Sequence, residues 1–284
     1  MIKFSVLIPT YNNLDYLKLA IDSIKHNSIY EHEIILHIND GSDGTLNYAK
    51  NNNLIYTHSS ENIGLCSAIN KASGKVSTEY VLYVHDDMYL CKNWDQILED
   101  EIKSLDNDLF YFSGTNYETR DIDMRFNPGN SPEQFNPNDF YNFCMTKNEK
   151  DLQGSHWAPH IISKRLWDVV GGFSEEFNPG DGSDPDFCMK LWNNKVRIFK
   201  SIDKFKVFHF GSTTTRKKNV IKNNGTKKFL LKYGFNPKFF RKYYLNGGAD
   251  SIYDGPLNEP QDSLIKSIDL LINKIKFFYY KMST

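Results

Sequence analysis

The chain has 284 residues, 40% of them hydrophobic, and 34 basic against 35 acidic side chains give a formal net charge of -1. That apolar content supports one large domain, or one domain with a small appendage, and the balanced charge excludes a global nucleic-acid footprint. The four cysteines at 66, 91, 144 and 188 lack metal-type spacing and read as reduced cytosolic thiols; Met1-Ile2-Lys3-Phe4 lacks signal-peptide character, and no apolar run reaches the ~20 residues of a membrane span.

Phe4 to Ile8 is a short apolar run that predicts a strand stopped at Pro9. Leu14, Leu17, Ile21 and Ile24 then recur at helical spacing. Glu33 to Ile38 predicts a second strand, ending in the loop Asn39-Asp40-Gly41-Ser42-Asp43-Gly44. Leu54 to Thr57 is a third, and Ala68 to Ala72 suggests a helix. Tyr80 to His85 reads as a strand that carries Asp86 and Asp87 to its tip. The β-α-β-α-β order predicts an α/β fold, a mostly parallel central sheet flanked by helices. Ligands of such sheets sit at the carboxyl ends of the strands, where Asp40, Asp86 and Asp87 fall.

Residues 114–155 are rich in Asn, Pro, Asp and Gly and read as loops with short elements, part of an acceptor-side wall. A helix is expected over Ser163 to Val170, closed by Gly171-Gly172. Another begins near Asp184-Pro185, and Val207 to Phe210 reads as a strand. Beyond about Thr215 the chain turns basic and aromatic. Leu264, Ile268, Leu271, Ile275 and Phe278 form a helical stripe accompanied by Lys266, Lys274, Lys276 and Lys281, which predicts either a peripheral membrane contact or a protein or dimer contact through 262–281.

Adjacent carboxylates at a strand tip invite a divalent cation, Mn²⁺ or Mg²⁺, or else cap the next segment. Tyr11-Asn12-Asn13 offers a ring to stack on a base, or an Asn cap for the helix. Asp40 either accepts from a base or ribose, or closes its own loop. Asp184 and Asp186 follow Gly180-Asp181-Gly182, glycines that would let backbone approach a ligand. A carboxylate at a helix start can serve as general base or as cap. His209 is a metal ligand or a structural strand-end histidine.

Pro9-Thr10-Tyr11-Asn12, Asn39-Asp40-Gly41-Ser42-Asp43-Gly44-Thr45, Glu61-Asn62-Ile63-Gly64, Asp86-Asp87, Val170-Gly171-Gly172-Phe173, Asp184-Pro185-Asp186 and His209 with Gly211-Ser212 occur in this order. Together they resemble the family-two inverting glycosyltransferases with the GT-A fold, over roughly residues 3–213. The resemblance implies a metal-dependent transferase that moves one sugar from a nucleotide-sugar donor, most commonly UDP-linked, to a glycan or lipid-linked hydroxyl acceptor. It implies that Tyr11 and Asp40 hold the base, and that Pro9, Asn62 and Gly64 also border the nucleotide. Asp86 lies near the ribose, Asp87 and His209 bind the metal, and Asp184 is the catalytic base. Asp186, Trp157 and Gly172 are then acceptor-side or supporting residues.

The sequence departs from the family in two places. His85 stands where Asp-X-Asp begins, and Ser183 replaces the Glu of the usual Glu-Asp motif. The Gln-X-X-Arg-Trp pattern of processive synthases is absent, which favours one sugar per encounter. The expected division is a transferase domain over 1–215, with a nucleotide-sugar half at 1–113 and an acceptor half at 114–215, followed by a basic, aromatic helical extension at 216–284. The expected setting is cytoplasmic, with peripheral contact to the membrane face. Alternatives are an inactive nucleotide-sugar or glycan-binding homologue, or a sugar-nucleotide nucleotidyltransferase. The latter should carry a Gly-rich basic loop after strand one, and a dinucleotide oxidoreductase should carry Gly-X-Gly-X-X-Gly there; neither pattern is present.

Overall fold

The structure is a computed structural model that describes residues 2–123, 125–147, 149–211, 223–248 and 251–282. The first half alternates strands and helices as β1 (Phe4–Tyr11), α1 (Leu14–His26), β2 (Glu33–Asn39), α2 (Thr45–Asn51), β3 (Ile55–Ser59), α3 (Leu65–Ser73) and β4 (Tyr80–Tyr83). Strands β1 to β4 pair in parallel in the order β3-β2-β1-β4. β1 and β2 are buried along nearly their whole length, which explains why they read as continuous apolar runs: helices cover both faces of such a sheet.

Pro9 does not stop β1, which runs on to Tyr11 with Pro9 opposite His37 of β2. The Leu7 carbonyl accepts from the Val84 amide on the β4 side. Pro9, two residues on, faces that same side beyond the end of β4, where no ladder bond is left for a proline to forfeit.

β4 also ends earlier than expected, at Tyr83. The chain then crosses through Asp86 and Asp87 into β5 (Met88–Leu90), followed by α4 (Trp94–Lys103) and β6 (Phe110–Tyr117). After α5 (Pro137–Thr146) come β7 (Leu152–Gln153), β8 (His160–Ser163), α6 (Lys164–Val170), α7 (Ser183–Asn193) and the long β9 (Ile198–His209). The sheet continues as β4-β8-β6-β9-β5, with β7 also on β9. β8 runs antiparallel to β4 and β6, and β9 lies parallel to β6 but antiparallel to β5. The parallel half therefore carries one set of loops and the mixed half the other, and they meet at β4.

The Asn- and Pro-rich stretch after β6 is anchored by a satellite aromatic cluster of Tyr89, Tyr117, Ile122, Phe140, Phe143 and Phe208. The Ser163 hydroxyl caps α6 by accepting from the Leu166 amide, and Gly171 closes it in the left-handed region. Among the described residues, three further helices follow: α8 (Gly225–Tyr233), α9 (Pro237–Tyr243) and α10 (Leu264–Met282). Phe229, Phe235, Phe239 and Phe240 of this region belong to the main core. The expected boundary at 215, and Ser212 of the strand-end motif, lie outside the described residues. No helix among the described residues is long and apolar enough to cross a membrane.

Candidate active site

The tips of β1 and β2 are joined by one side chain. Asn12 has φ of 47°; its Nδ2 donates to Asp40 Oδ2 at 2.7 Å and to Ser42 Oγ at 3.2 Å, and its Oδ1 accepts from the Gly41 amide at 2.8 Å. Asp40, also at positive φ (63°), accepts from the Ser42 amide through Oδ1. Asp40 is therefore both a loop-former and a half-buried carboxylate at the strand edge, close to Tyr11, which pairs with Asn39. The cap expected from the Asn pair is supplied instead by Asp43, whose Oδ2 accepts from the Leu14 amide at 2.9 Å. Asn12 is engaged with the Asp40 loop and Asn13 Nδ2 donates to Asp86 Oδ1 at 3.2 Å, so neither side chain caps α1.

Asp86 and Asp87 are both buried. Burial, and then the neighbouring Asp87 charge, pushes the Asp86 carboxyl above its ordinary range. Asp87 meets the far end of the sheet because Met88 pairs with His209 in the β5–β9 ladder. His209 Nε2 lies 3.3 Å from Asp87 Oδ1, and the Phe210 amide donates to the Asp87 carbonyl. His85 joins them: one ligand atom from each of His85, Asp87 and His209 falls within 4.8 Å of the others. At the position where the family's Asp-X-Asp begins, the fold brings His85 in as a third donor. Burial, then the His209 charge, lowers the His85 imidazole to about 4, so it is neutral at pH 7, the form that ligates metal. Two imidazoles and a carboxylate suit Mn²⁺ better than the harder Mg²⁺. Glu118, just past β6 and unsuspected from sequence, lies with Oε1 3.9 Å from His209 Nδ1.

Asp184 sits in the first turn of α7, behind Gly182. Its Oδ1 is buried without a hydrogen-bond partner among the described residues. The positive end of the helix favours its ionised form. Burial outweighs that effect and pushes the carboxyl up to about 7. The fully buried Tyr83 hydroxyl connects the two halves of the site. Burial raises it most, and the charges of Asp184, Asp86 and Asp87 all raise it further, so these carboxylates share one neighbourhood. Asp186 is wholly buried and differently occupied. It accepts from Ser174 Oγ at 2.6 Å and Tyr233 Oη at 2.7 Å and pairs with Lys232 Nζ at 2.7 Å. It holds α8 against α7 and is a support.

The glycines before Asp184 make room for the chain's own packing. A Cβ on Gly182 would come within 2.9 Å of Gly225 Cα, and one on Gly180 would press on Leu65. Gly64 (φ 84°) likewise leaves room for Asn178, whose Oδ1 accepts from the Cys66 amide at 2.9 Å at the start of α3. Asn62 is exposed and closes a turn by accepting from the Gly64 amide. Pro9 is buried within β1 and forms floor beneath the loops. Gly172 is buried; its carbonyl accepts from Lys190, and its amide donates to the Trp167 carbonyl. Trp157 is half-buried on the β8 side, with Nε1 donating to the Gly114 carbonyl at 3.2 Å.

The family model described as Glycosyl transferase family 2 matches residues 5–160. The chain belongs to this family. Among curated family members, it is 27% identical over 267 residues to the chondroitin synthase of Pasteurella multocida (strain Pm70), covering 87% of this chain and 26% of that protein. It is 27% identical over 229 residues to the hyaluronan synthase of Pasteurella multocida, covering 78% of this chain and 22% of that one. The chain thus spans about a quarter of the length of these relatives. The glycosyltransferase architecture recurs in S. aureus TarS 1-349, at TM-score 0.54 and 19% identity over 73% of this chain and 60% of that one. A structure of the same TarS segment in complex with UDP-GlcNAc superposes at TM-score 0.52, with 19% identity over 74% and 61%. The expected GT-A fold is therefore present.

Proposed function

We propose that this chain is an inverting glycosyltransferase that moves one sugar from a nucleotide-sugar donor, UDP-linked, to a hydroxyl of a glycan or lipid-linked acceptor. The observation that carries the reading is the convergence of His85, Asp87 and His209 on one point while the Asp184 carboxylate, with an unpartnered oxygen, shares the same neighbourhood. The names of the relatives, a chondroitin synthase and a hyaluronan synthase, and the UDP-GlcNAc complex of TarS support a UDP-sugar donor and a glycan product. The natural setting is cytoplasmic synthesis of cell-surface polysaccharide, lipopolysaccharide or another glycan. Residues 1–113 would take the donor, 114–215 would form the acceptor wall, and 216–284 would be a basic, aromatic helical extension whose Phe229, Phe235, Phe239 and Phe240 pack into the main core.

Tyr11 and Asp40 are assigned to the base, Asp86 to the ribose, and His85, Asp87 and His209 to a divalent cation, which when bound supplies neutralising charge to the departing diphosphate. Asp184 in its ionised form takes the proton from the acceptor hydroxyl. The hydroxyl oxygen forms a bond to the anomeric carbon as the bond from that carbon to the diphosphate oxygen breaks, and the electron pair leaves with the nucleoside diphosphate. One displacement inverts the carbon.

The test is turnover of UDP-GlcNAc and UDP-glucuronic acid with Mn²⁺, with and without short chondroitin or hyaluronan oligosaccharides. UDP release that depends on Mn²⁺ and vanishes in Asp184→Asn supports the reading. UDP-sugar binding without turnover in any condition would mark the chain as a binding homologue, and pyrophosphate-dependent formation of UTP would mark it as a nucleotidyltransferase.

A further inference from the structure

The C-terminal helix α10 is oriented contrary to an ordinary surface helix. The face turned inward is mixed, with Lys266, Asp269 and Asn273 beside Leu270, Phe277 and Tyr280. Asn273 is only 4% exposed and accepts from the Asn236 amide at 2.9 Å, while Asp269 accepts from Lys242 Nζ at 2.9 Å and Tyr243 Oη at 2.6 Å. These bonds fix the helix on α9, and α10 also packs against α8. The opposite face is apolar and in solvent: Ile265 is 63% exposed, Leu271 57%, Ile275 62% and Phe278 61%, with Ile268 and Ile272 also exposed. A helix that only covers a core shows the reverse pattern, and a contiguous exposed apolar patch marks an interaction surface.

Charge distribution selects the occupant. At about 100° of rotation per residue, Lys274 and Lys281 fall along one border of the apolar face and Lys276 along the other. α10 carries four lysines against the single acid Asp269, which is already engaged. Residues 216–284 as a whole hold fourteen basic and five acidic side chains. A second copy packed face to face through this stripe would set lysine borders against lysine borders, which repels. An anionic bilayer takes both features at once, because acyl chains receive the apolar face while acidic headgroups receive the flanking ammonium groups.

We infer that the outward face of α10 docks this protein on an anionic membrane surface, lying in the interface without spanning it. The seat is rigidly coupled to the site. α10 packs on α8, and Lys232 and Tyr233 of α8 bind Asp186 of α7, the helix that begins at Ser183 and carries Asp184. A membrane held on α10 would therefore stand in a fixed relation to Asp184.

The test is flotation of the full chain with vesicles of phosphatidylcholine alone and with vesicles containing phosphatidylglycerol. Binding is expected to the anionic vesicles and to weaken as salt is raised. Ile268→Glu with Ile275→Glu should abolish it without changing the circular dichroism spectrum, since both side chains already face solvent. Lys274→Gln, Lys276→Gln and Lys281→Gln together should weaken it roughly hundredfold and touch no apolar residue. Three results would each overturn the inference: no binding to anionic vesicles, equal binding to phosphatidylcholine vesicles, or binding unchanged in the lysine variant. A concentration-dependent dimer that Ile268→Glu dissociates in analytical ultracentrifugation would assign the face to a second copy instead.

Discussion

His209 Nε2 lies 3.3 Å from Asp87 Oδ1, and the contact is a consequence of strand register. β5 begins at Met88, one residue after Asp87, and Met88 pairs with His209. The connection from β4 to β5 is thereby held against the end of β9 at the point where His85 also arrives. Isothermal titration of Mn²⁺ should show loss of binding in Asp87→Ala and His209→Ala, and a loss of at least about 10- to 100-fold in His85→Ala, the range already seen for residues one shell further out. Wild-type Mn²⁺ affinity in Asp87→Ala would remove it from the ligand set.

Asp184 is the assigned proton acceptor, and it must be ionised to act. Burial holds its carboxyl at about 7, so kcat/KM should rise with pH through about 7 and level off above it. Asp184→Asn should cost about 10²- to 10⁴-fold in kcat while donor affinity stays near wild type. A flat profile between pH 6 and pH 8 would point to a different base.

The same carboxyl has a stability signature of opposite sense. Its folded value is raised from 3.8 to about 7, so between those values the unfolded chain has released a proton that the folded one retains. Stability contributed by this group therefore falls as pH rises from 3.8 to about 7, then stays flat. Asp184→Asn removes that slope. The variant should melt at least about 2 °C higher than wild type at pH 8, the trade of activity for stability expected where a functional group is buried without a partner. A lower Tm at pH 8 would contradict it.

Asp186→Ala should damage the fold more than the chemistry. It takes from Lys232 one of the two carboxylates, Asp186 and Glu176, that keep it protonated against burial, and it leaves Tyr233 and Ser174 without an acceptor in Asp186. Breaking such a buried pair costs about 3 kcal/mol, readable as a lower urea midpoint at unchanged slope. Residual folded enzyme should keep most of its kcat.

Asn12 links the Tyr11 and Asp40 loops through three hydrogen bonds. Asn12→Gly keeps access to its φ of 47° but removes the link. UDP affinity should fall about tenfold as the loops lose their shared geometry, with little change in Mn²⁺ affinity. Equal UDP affinity would detach this loop pair from the nucleotide.

Much of the first half was legible from sequence because its signals are local. The apolar runs of β1 and β2 are continuous, as sheets buried on both faces require, and the α6 cap and its terminating Gly171 are read within a few residues. The motif order alone identified the family. Pro9 misled because its cost depends on whether a neighbouring strand continues alongside it, a fact that resides in β4. His85 is visible in sequence only as a departure from Asp-X-Asp, and no local pattern marks Glu118; His85 becomes a candidate ligand only through the β5–β9 register, and Glu118 comes near His209 only through the end of β6. The carboxyl of Asp184 is shifted upward for the same kind of reason: a helix start is visible in sequence, whereas burial is set by everything packed around it. Sequence by itself determined which elements form and which family they compose. Tertiary structure alone decided which side chains meet, which carboxylate is satisfied and which is left open, and which face of the last helix stays in solvent, because these depend on distance in space between residues far apart along the chain.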